Sequence, residues 1–195
     1  IQAFFSQAEL LARDPTSASS RQQLLAQGES LAQRFGQLDS QLRSLDNEVN
    51  SRLQDAASRV NNMAAQLAGI NAAIGRGASG SNDLADQRDA LLSQLSAQMD
   101  ITVIPQADGT TNVMVANGQP LVLGLTSASL ELAPDAFDPT RSSLNIRFGS
   151  ESRAIGPQVS GGAMGGLLSF RSAVLDPARR DLGLLAGTLA GSFNA

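Results

Sequence analysis

Apolar residues recur along the first part of the chain at Leu31, Phe35, Leu38, Leu42, Leu45, Val49, Leu53, Ala56, Val60, Met63, Leu67, Ile70 and Ile74, with spacings of 4-3-4-3-4-4-3-4-3-4-3-4. Alternating threes and fours make the stripe of a helix that packs along another helix, and the consecutive fours at Val49–Leu53 form a stutter that relaxes a left-handed supercoil. After Asp14–Pro15, residues 16–74 contain no proline and predict a single helix, on the order of 80 Å long at about 1.5 Å per residue. Pro15 suits a helix start, with Thr16 or Ser17 as the candidate cap. Gly28 and Gly36 each cost about 1 kcal/mol in a helix and are expected to mark a bend or break near its start.

The stretch GRGASGS (75–81) predicts a flexible turn. Beyond it Leu84, Leu91, Leu92, Leu95 and Met99 share a second helical face, so the two helices are expected to fold back as an antiparallel, coiled-coil-like hairpin. The period then shifts to two. ITVIP (101–105), TNVMVA (111–116), QPLVLG (119–124), SASLELA (127–133) and SLNIRF (143–148) read as strands, with ESRAIG (151–156) as a further candidate. The pairs DG (108–109) and NG (117–118) supply the positive φ angles of tight hairpins. Helix returns after GGAMGG (161–166), is interrupted at Asp176–Pro177, and continues with Leu182, Leu185, Leu189 and Phe193 on one face. The fold class predicted is α+β: a long antiparallel helical bundle with an inserted small antiparallel β domain. Residues 1–100 form the first part of the helical domain, with helices 16–74 and 82–99. Residues 101–158 form the β domain, and 159–195 the returning helices.

Composition narrows the chemistry. The 195 residues include no Cys, His, Trp, Tyr or Lys, and the 14 basic residues are all Arg. Thiolate chemistry, disulfides, zinc sites and His-based triads are excluded, leaving carboxylates for any acid–base work. A net charge of −4 offers no basic surface for nucleic acid. No apolar run approaches the roughly 20 residues that span a bilayer. The opening IQAFFSQAELLARDP has no basic leader, begins on Ile, and reads as a piece of a longer chain.

The densest charge lies in NDLADQRDALLSQLS (82–96), where Asp83, Asp86, Arg88 and Asp89 crowd seven positions. Asp83 and Asp86 suit the first turn of a helix, where backbone N–H groups lack partners. The three aspartates have donors for Ca²⁺ but lack the loop and glycine of a calcium site. Arg88 falls on the apolar stripe, so its guanidinium needs an acceptor across the hairpin. Counting outward from the turn brings Asn71 opposite. The expectation is a structural cap and hairpin lock made by Asp83, Asp86, Arg88, Asp89 and Asn71, with Arg88 bonding Asp86, Asp89 or Asn71. Gly161, Gly162, Gly165 and Gly166 are expected to form a pliable hinge between the β domain and the returning helices. No catalytic residue, metal ligand or cofactor site is expected, and the chain does not read as an enzyme.

Three blocks together carry a resemblance: LAGINAAIG at the end of the long helix, NDLADQRDALLSQLS after the turn, and GGAMGGLLSFR before the returning helices. They resemble the blocks LNxxI, NDLLDQRDxLLxxLS and GGxLGGLLxxR of the flagellar hook-associated protein 1 family (FlgK), and FFSQAELLARDPTSASSRQQLLAQGESLAQRF is similar to that family's segment before its long helix. Ala85 and Gly69 stand where the family usually has Leu. The resemblance implies a structural component of the bacterial flagellum at the hook–filament junction, exported by flagellar type III secretion to an extracellular site. It implies copies of itself in a ring as partners, with the hook protein and the second junction protein as axial neighbours. The terminal polymerisation segments would lie outside this chain, so the isolated fragment is expected as a monomer. The alternatives are another type III-exported helical-hairpin protein, such as a needle-tip component, and an adhesin that works through its β domain.

Overall fold

The computed structural model describes residues 1–77, 81–135 and 141–194. Helices α1 (Gln2–Arg13), α2 (Ala18–Gly75) and α3 (Ser81–Gln98) precede seven strands, and α4 (Gly162–Phe170) and α5 (Asp176–Asn194) follow them. The strands are β1 (Ile101–Pro105), β2 (Thr111–Val115), β3 (Gln119–Leu123), β4 (Thr126–Ser127), β5 (Ser129–Pro134), β6 (Ser142–Phe148) and β7 (Glu151–Ala154). The fold is α+β, as the periodicity predicts. The chain divides into two compact units, one of Ile1–Asp46 with Leu175–Ala195 and one of Asn47–Val174.

Helix α2 is continuous over 58 residues, through both Gly28 and Gly36, so the helix does not break at either glycine. Ser17 is its cap, accepting the Ser20 backbone N–H at 3.2 Å. Asp14 turns the chain ahead of it, accepting from the Thr16 N–H and hydroxyl at 3.3 and 2.8 Å. A Cβ at Gly28 would meet the Phe4 ring at 3.5 Å, an ordinary van der Waals contact, so packing does not require glycine there.

In the first unit Phe4 and Leu31 are buried. Phe4 stacks at 4.6 Å between centroids on Phe193, and Arg179 of α5 lies 3.7 Å from Asp46. The α2 stripe is only partly covered here: Leu38 is 48% exposed and Leu45 45%. The heptad spacing predicts both as buried, and both lack that cover within this chain.

In the second unit the stripe is covered from Val49 to Ile70, with Val49, Leu53, Ala56, Val60, Met63, Leu67 and Ile70 buried and Ile74 half-buried. Ala57, Ala64 and Ala68 beside it are buried too, so α2 buries a face wider than one helix partner needs. Helix α3 runs back along part of that face: Arg59 donates to Gln98 at 3.4 Å, while Gly69 and Ala73 share a groove with Leu84 and Leu91. Leu95 and Met99 of the α3 end are fully buried. The turn GRGASGS joining these helices lies largely outside the described residues.

The strands form two antiparallel sheets, ordered β1-β2-β3-β4 and β5-β6-β7. Residues 127–133 read from sequence as one strand, but the chain changes sheets at Ala128, whose N–H still donates to the Leu121 carbonyl at 2.8 Å. Pro120 sits where the β2–β3 register slips between Val113 and Met114, a bulge that accommodates its missing N–H. Ala116, Asn117 and Gly118 all take positive φ in the β2–β3 turn, the conformation that NG predicts. The buried apolar residues of the strands are Val113, Val115, Leu121, Val122, Leu130, Leu144 and Ile146, with Thr111 buried beside them.

Candidate functional site

The charged cluster is dispersed around α3. Arg88 Nε donates to Asp89 Oδ1 at 3.0 Å, with side-chain exposures of 24% and 65%. Arg88 is thus half-buried, as its stripe position requires, and reaches its sequence neighbour. Asp83 occupies the first turn of α3, and it and Asp86 are solvent-exposed. Among the described residues no group of three or more His, Cys, Asp or Glu is placed to hold a metal. Among the described residues no helix is long and apolar enough to cross a membrane.

Asn71 belongs to a different network from the one counting assigns it. Its side chain is 1% exposed and turned to the first sheet. Nδ2 donates to the carbonyls of Thr111 (2.8 Å) and Gly124 (2.7 Å), and Oδ1 accepts the Thr111 N–H at 3.0 Å. Counting along the hairpin locates the level of Asn71 on α2 but not the side of the helix it leaves from.

The same arrangement recurs one sheet further on. Asn61 Nδ2 donates to the Leu130 carbonyl at 2.9 Å, and its Oδ1 accepts the Leu130 N–H at 2.7 Å. A carboxamide facing both the N–H and the C=O of one strand residue takes the place of a neighbouring peptide. Asn61 thus satisfies the open edge of β5, while Asn71 fills the gap at the start of β2, between Thr111 and the Gly124 carbonyl that follows β3. A third asparagine, Asn50, accepts from Arg171 Nη2, and Arg171 Nη1 donates to the Ser142 carbonyl of β6 at 3.1 Å.

Asn50, Asn61 and Asn71 lie 11 and 10 residues apart, near three helical turns, and so fall along one side of α2. Each directly follows a stripe residue: Val49, Val60 and Ile70. Sequence reading missed Asn50 and Asn61, and this regular placement beside buried positions is the signal that finds them. Polar side chains flanking a core stripe at a fixed interval need partners.

The glycine block, expected as a hinge, makes a tight crossing. Gly161 and Gly162 have φ of +65° and +52°. A Cβ at Gly161 would coincide with the Asp100 carboxylate, and one at Gly165 would lie 2.6 Å from the Ser160 carbonyl carbon. A Cβ at Gly162 would stand 2.6 Å from the Gln98 oxygen, while Gly166 has nothing within 4 Å. Asp100 stitches the crossing: its N–H donates to the Ser160 carbonyl at 2.8 Å, and its Oδ2 accepts the Ser160 hydroxyl at 2.7 Å. Glycine is required here for close approach.

In the β1–β2 turn Asp108 accepts the Thr110 hydroxyl (2.7 Å) and N–H (2.9 Å). These two bonds, the hydroxyl first, hold its carboxyl below the ordinary carboxylate range.

What the arrangement supports is mechanical: helices carrying two sheets fixed by side-chain clamps. By class this is an α+β protein of long packed helices with a β insert. All of residues 1–195 match the model of the flagellar hook-associated protein FlgK helical domain, and the chain belongs to that family. It is 37% identical over 202 residues to flagellar hook-associated protein 1 of Salmonella typhimurium, covering 100% of this chain and 36% of that one. The Escherichia coli K12 protein of the same name is 36% identical over 201 residues, with 100% of this chain and 37% of that one covered. Among solved structures, the flagellar hook junction protein FlgK from Burkholderia pseudomallei matches with a TM-score of 0.82 at 33% identity, covering 94% of this chain and 34% of that one. The chain thus spans about a third of the length of these relatives.

Proposed function

We propose that this chain is the helical portion of a structural protein joining hook to filament in the bacterial flagellum. The observation that carries the reading is family membership across the whole chain. In this role the protein works by subunit packing and catalyses nothing. Its neighbours are copies of itself in a ring, the hook protein and the second junction protein. It reaches an extracellular position through flagellar type III export, and the isolated chain is a monomer.

Two features support the mechanical part. The asparagine clamps fix both sheets to α2, as a load-bearing part requires. The apolar side chains left open in the first unit, among them Leu25, Leu38, Leu45 and Leu184, provide surface for neighbours to bury. In this reading Asp83, Asp86, Arg88 and Asp89 are solubilising and helix-end charges of α3, and the glycine block sets a register.

Deletion of the parent gene tests the proposal. Cells are expected to keep hooks, lose filaments and release flagellin into the medium. Normal filaments and motility in the deletion strain would remove the junction role.

A further inference from the structure

Between α4 and α5 the residues Arg171–Leu175 form a π-helix, the rarest of the helical conformations. Its cause lies two residues beyond it. Pro177 has no N–H, and in a continuous α-helix its ring would strike the carbonyl four residues back, that of Ala173. Widening the preceding turn moves that carbonyl aside and leaves Pro177 in the first turn of α5, where a missing N–H costs nothing.

The inner side of the turn is pinned. Arg171 is 8% exposed and Leu175 1%. The Arg171 guanidinium reaches Asn50 of α2 and the Ser142 carbonyl of β6, both in its own compact unit. The outer side is open: Ser172, Ala173 and Val174 are exposed, and the Ser172 hydroxyl donates to the Ser169 carbonyl at 3.2 Å. A wide turn carries one residue more than an α-turn over the same path. Here it is held by side-chain bonds on one side and open to solvent on the other.

We propose that Arg171–Leu175 is a yield point built into the returning helices, latched by Arg171 and opening locally before α4. It goes beyond the flagellar reading and does not depend on it.

Hydrogen exchange followed by mass spectrometry on the 195-residue chain tests the proposal. A peptide covering 171–176 is expected to exchange about tenfold or more faster than one covering 162–170. Arg171→Lys keeps the charge but loses the two-pronged grip. It should raise exchange of the 171–176 peptide by about a further tenfold, with peptides from β2 and β3 and the circular dichroism unchanged. Deleting Ser172 together with Pro177→Ala removes both the surplus residue and the ring that forces the wide turn, and should slow the 171–176 peptide to the rate of α4 while raising the melting temperature. Equal rates for the two wild-type peptides would overturn the proposal. So would a 171–176 rate untouched by Arg171→Lys, a rise spread evenly over the unit in that variant, or a 171–176 peptide that still exchanges fast in the chain carrying both Pro177→Ala and the Ser172 deletion.

Discussion

Replacing Asn71 by Leu removes a carboxamide that makes three hydrogen bonds to backbone at 2.7–3.0 Å in a position 1% exposed. A typical net hydrogen bond contributes about 1 kcal/mol, and a buried group left without a partner costs roughly 1–3 kcal/mol. The Thr111 N–H and C=O suffer most, because Thr111 is itself buried at 4%, whereas Gly124 is half-buried and partly rehydrates. Leu has the same number of side-chain heavy atoms and recovers some apolar burial, so the expected loss is about 3–5 kcal/mol. At about 2–4 °C per kcal/mol for a chain of this size, the melting temperature should fall by roughly 6–20 °C. Asn71→Asp separates shape from bonding: it keeps the outline but sets a buried carboxylate against two carbonyls, and should be at least as damaging. Asn62→Ala, at an exposed position on the same helix, is the control and should stay within about 0.5 kcal/mol. Thermal and urea unfolding followed by circular dichroism supply the measurement. A loss under about 1 kcal/mol for Asn71→Leu, or one equal to that of Asn62→Ala, would refute the clamp.

Leu53→Ala, at a position with 0% exposure, should cost about 2–5 kcal/mol in urea unfolding, and Leu38→Ala, 48% exposed, under about 1 kcal/mol; equal costs would contradict the uneven cover of the stripe. Gly165→Ala should destabilise clearly, because its Cβ meets Ser160 backbone at 2.6 Å, while Gly166→Ala, with open space around it, should be neutral or stabilising by about 0.5–1 kcal/mol. Matched melting temperatures for the two glycine variants would remove the tight crossing. The depressed Asp108 carboxyl stabilises the β1–β2 turn above the ordinary carboxylate range, and that contribution is lost as pH falls through the lowered value. Its carboxyl carbon, followed by NMR, should titrate below the ordinary carboxylate range, and an Asp108 midpoint within or above that range would contradict the turn geometry.

Much of the fold is legible because local physics and tertiary packing agree. The 3-4 spacing marks α2, NG and DG mark hairpins whose backbones need positive φ, and the change of period separates helix from strand. Where reading fails, the deciding contact is remote. Nothing in the spacing of Leu38 and Leu45 differs from that of Val60 and Leu67, yet only the second pair is buried, because periodicity records which side of a helix is apolar and not what covers it. Gly161 and Gly165 read as pliant because flexibility is glycine's default meaning. Their partners, Asp100 and Ser160, are brought to them by the end of α3 and by the chain entering α4. A hairpin count places Asn71 at the right height but on the wrong network, because it fixes level and not azimuth. Asn50 and Asn61 went unread, although their place just after Val49 and Val60 was visible.

The central claim is that α2 side chains act as strand neighbours to both sheets. Amide exchange at Thr111 and Leu130, resolved by NMR, tests it most directly, since each N–H is bonded to a side-chain oxygen, Asn71 Oδ1 at 3.0 Å and Asn61 Oδ1 at 2.7 Å. Both amides should exchange as slowly as those within the β5–β6 ladder. Asn71→Leu should speed exchange at Thr111 well beyond that at Leu130, and Asn61→Leu should do the reverse. Exchange of both at the rate of exposed turn amides in the unaltered protein would contradict the account.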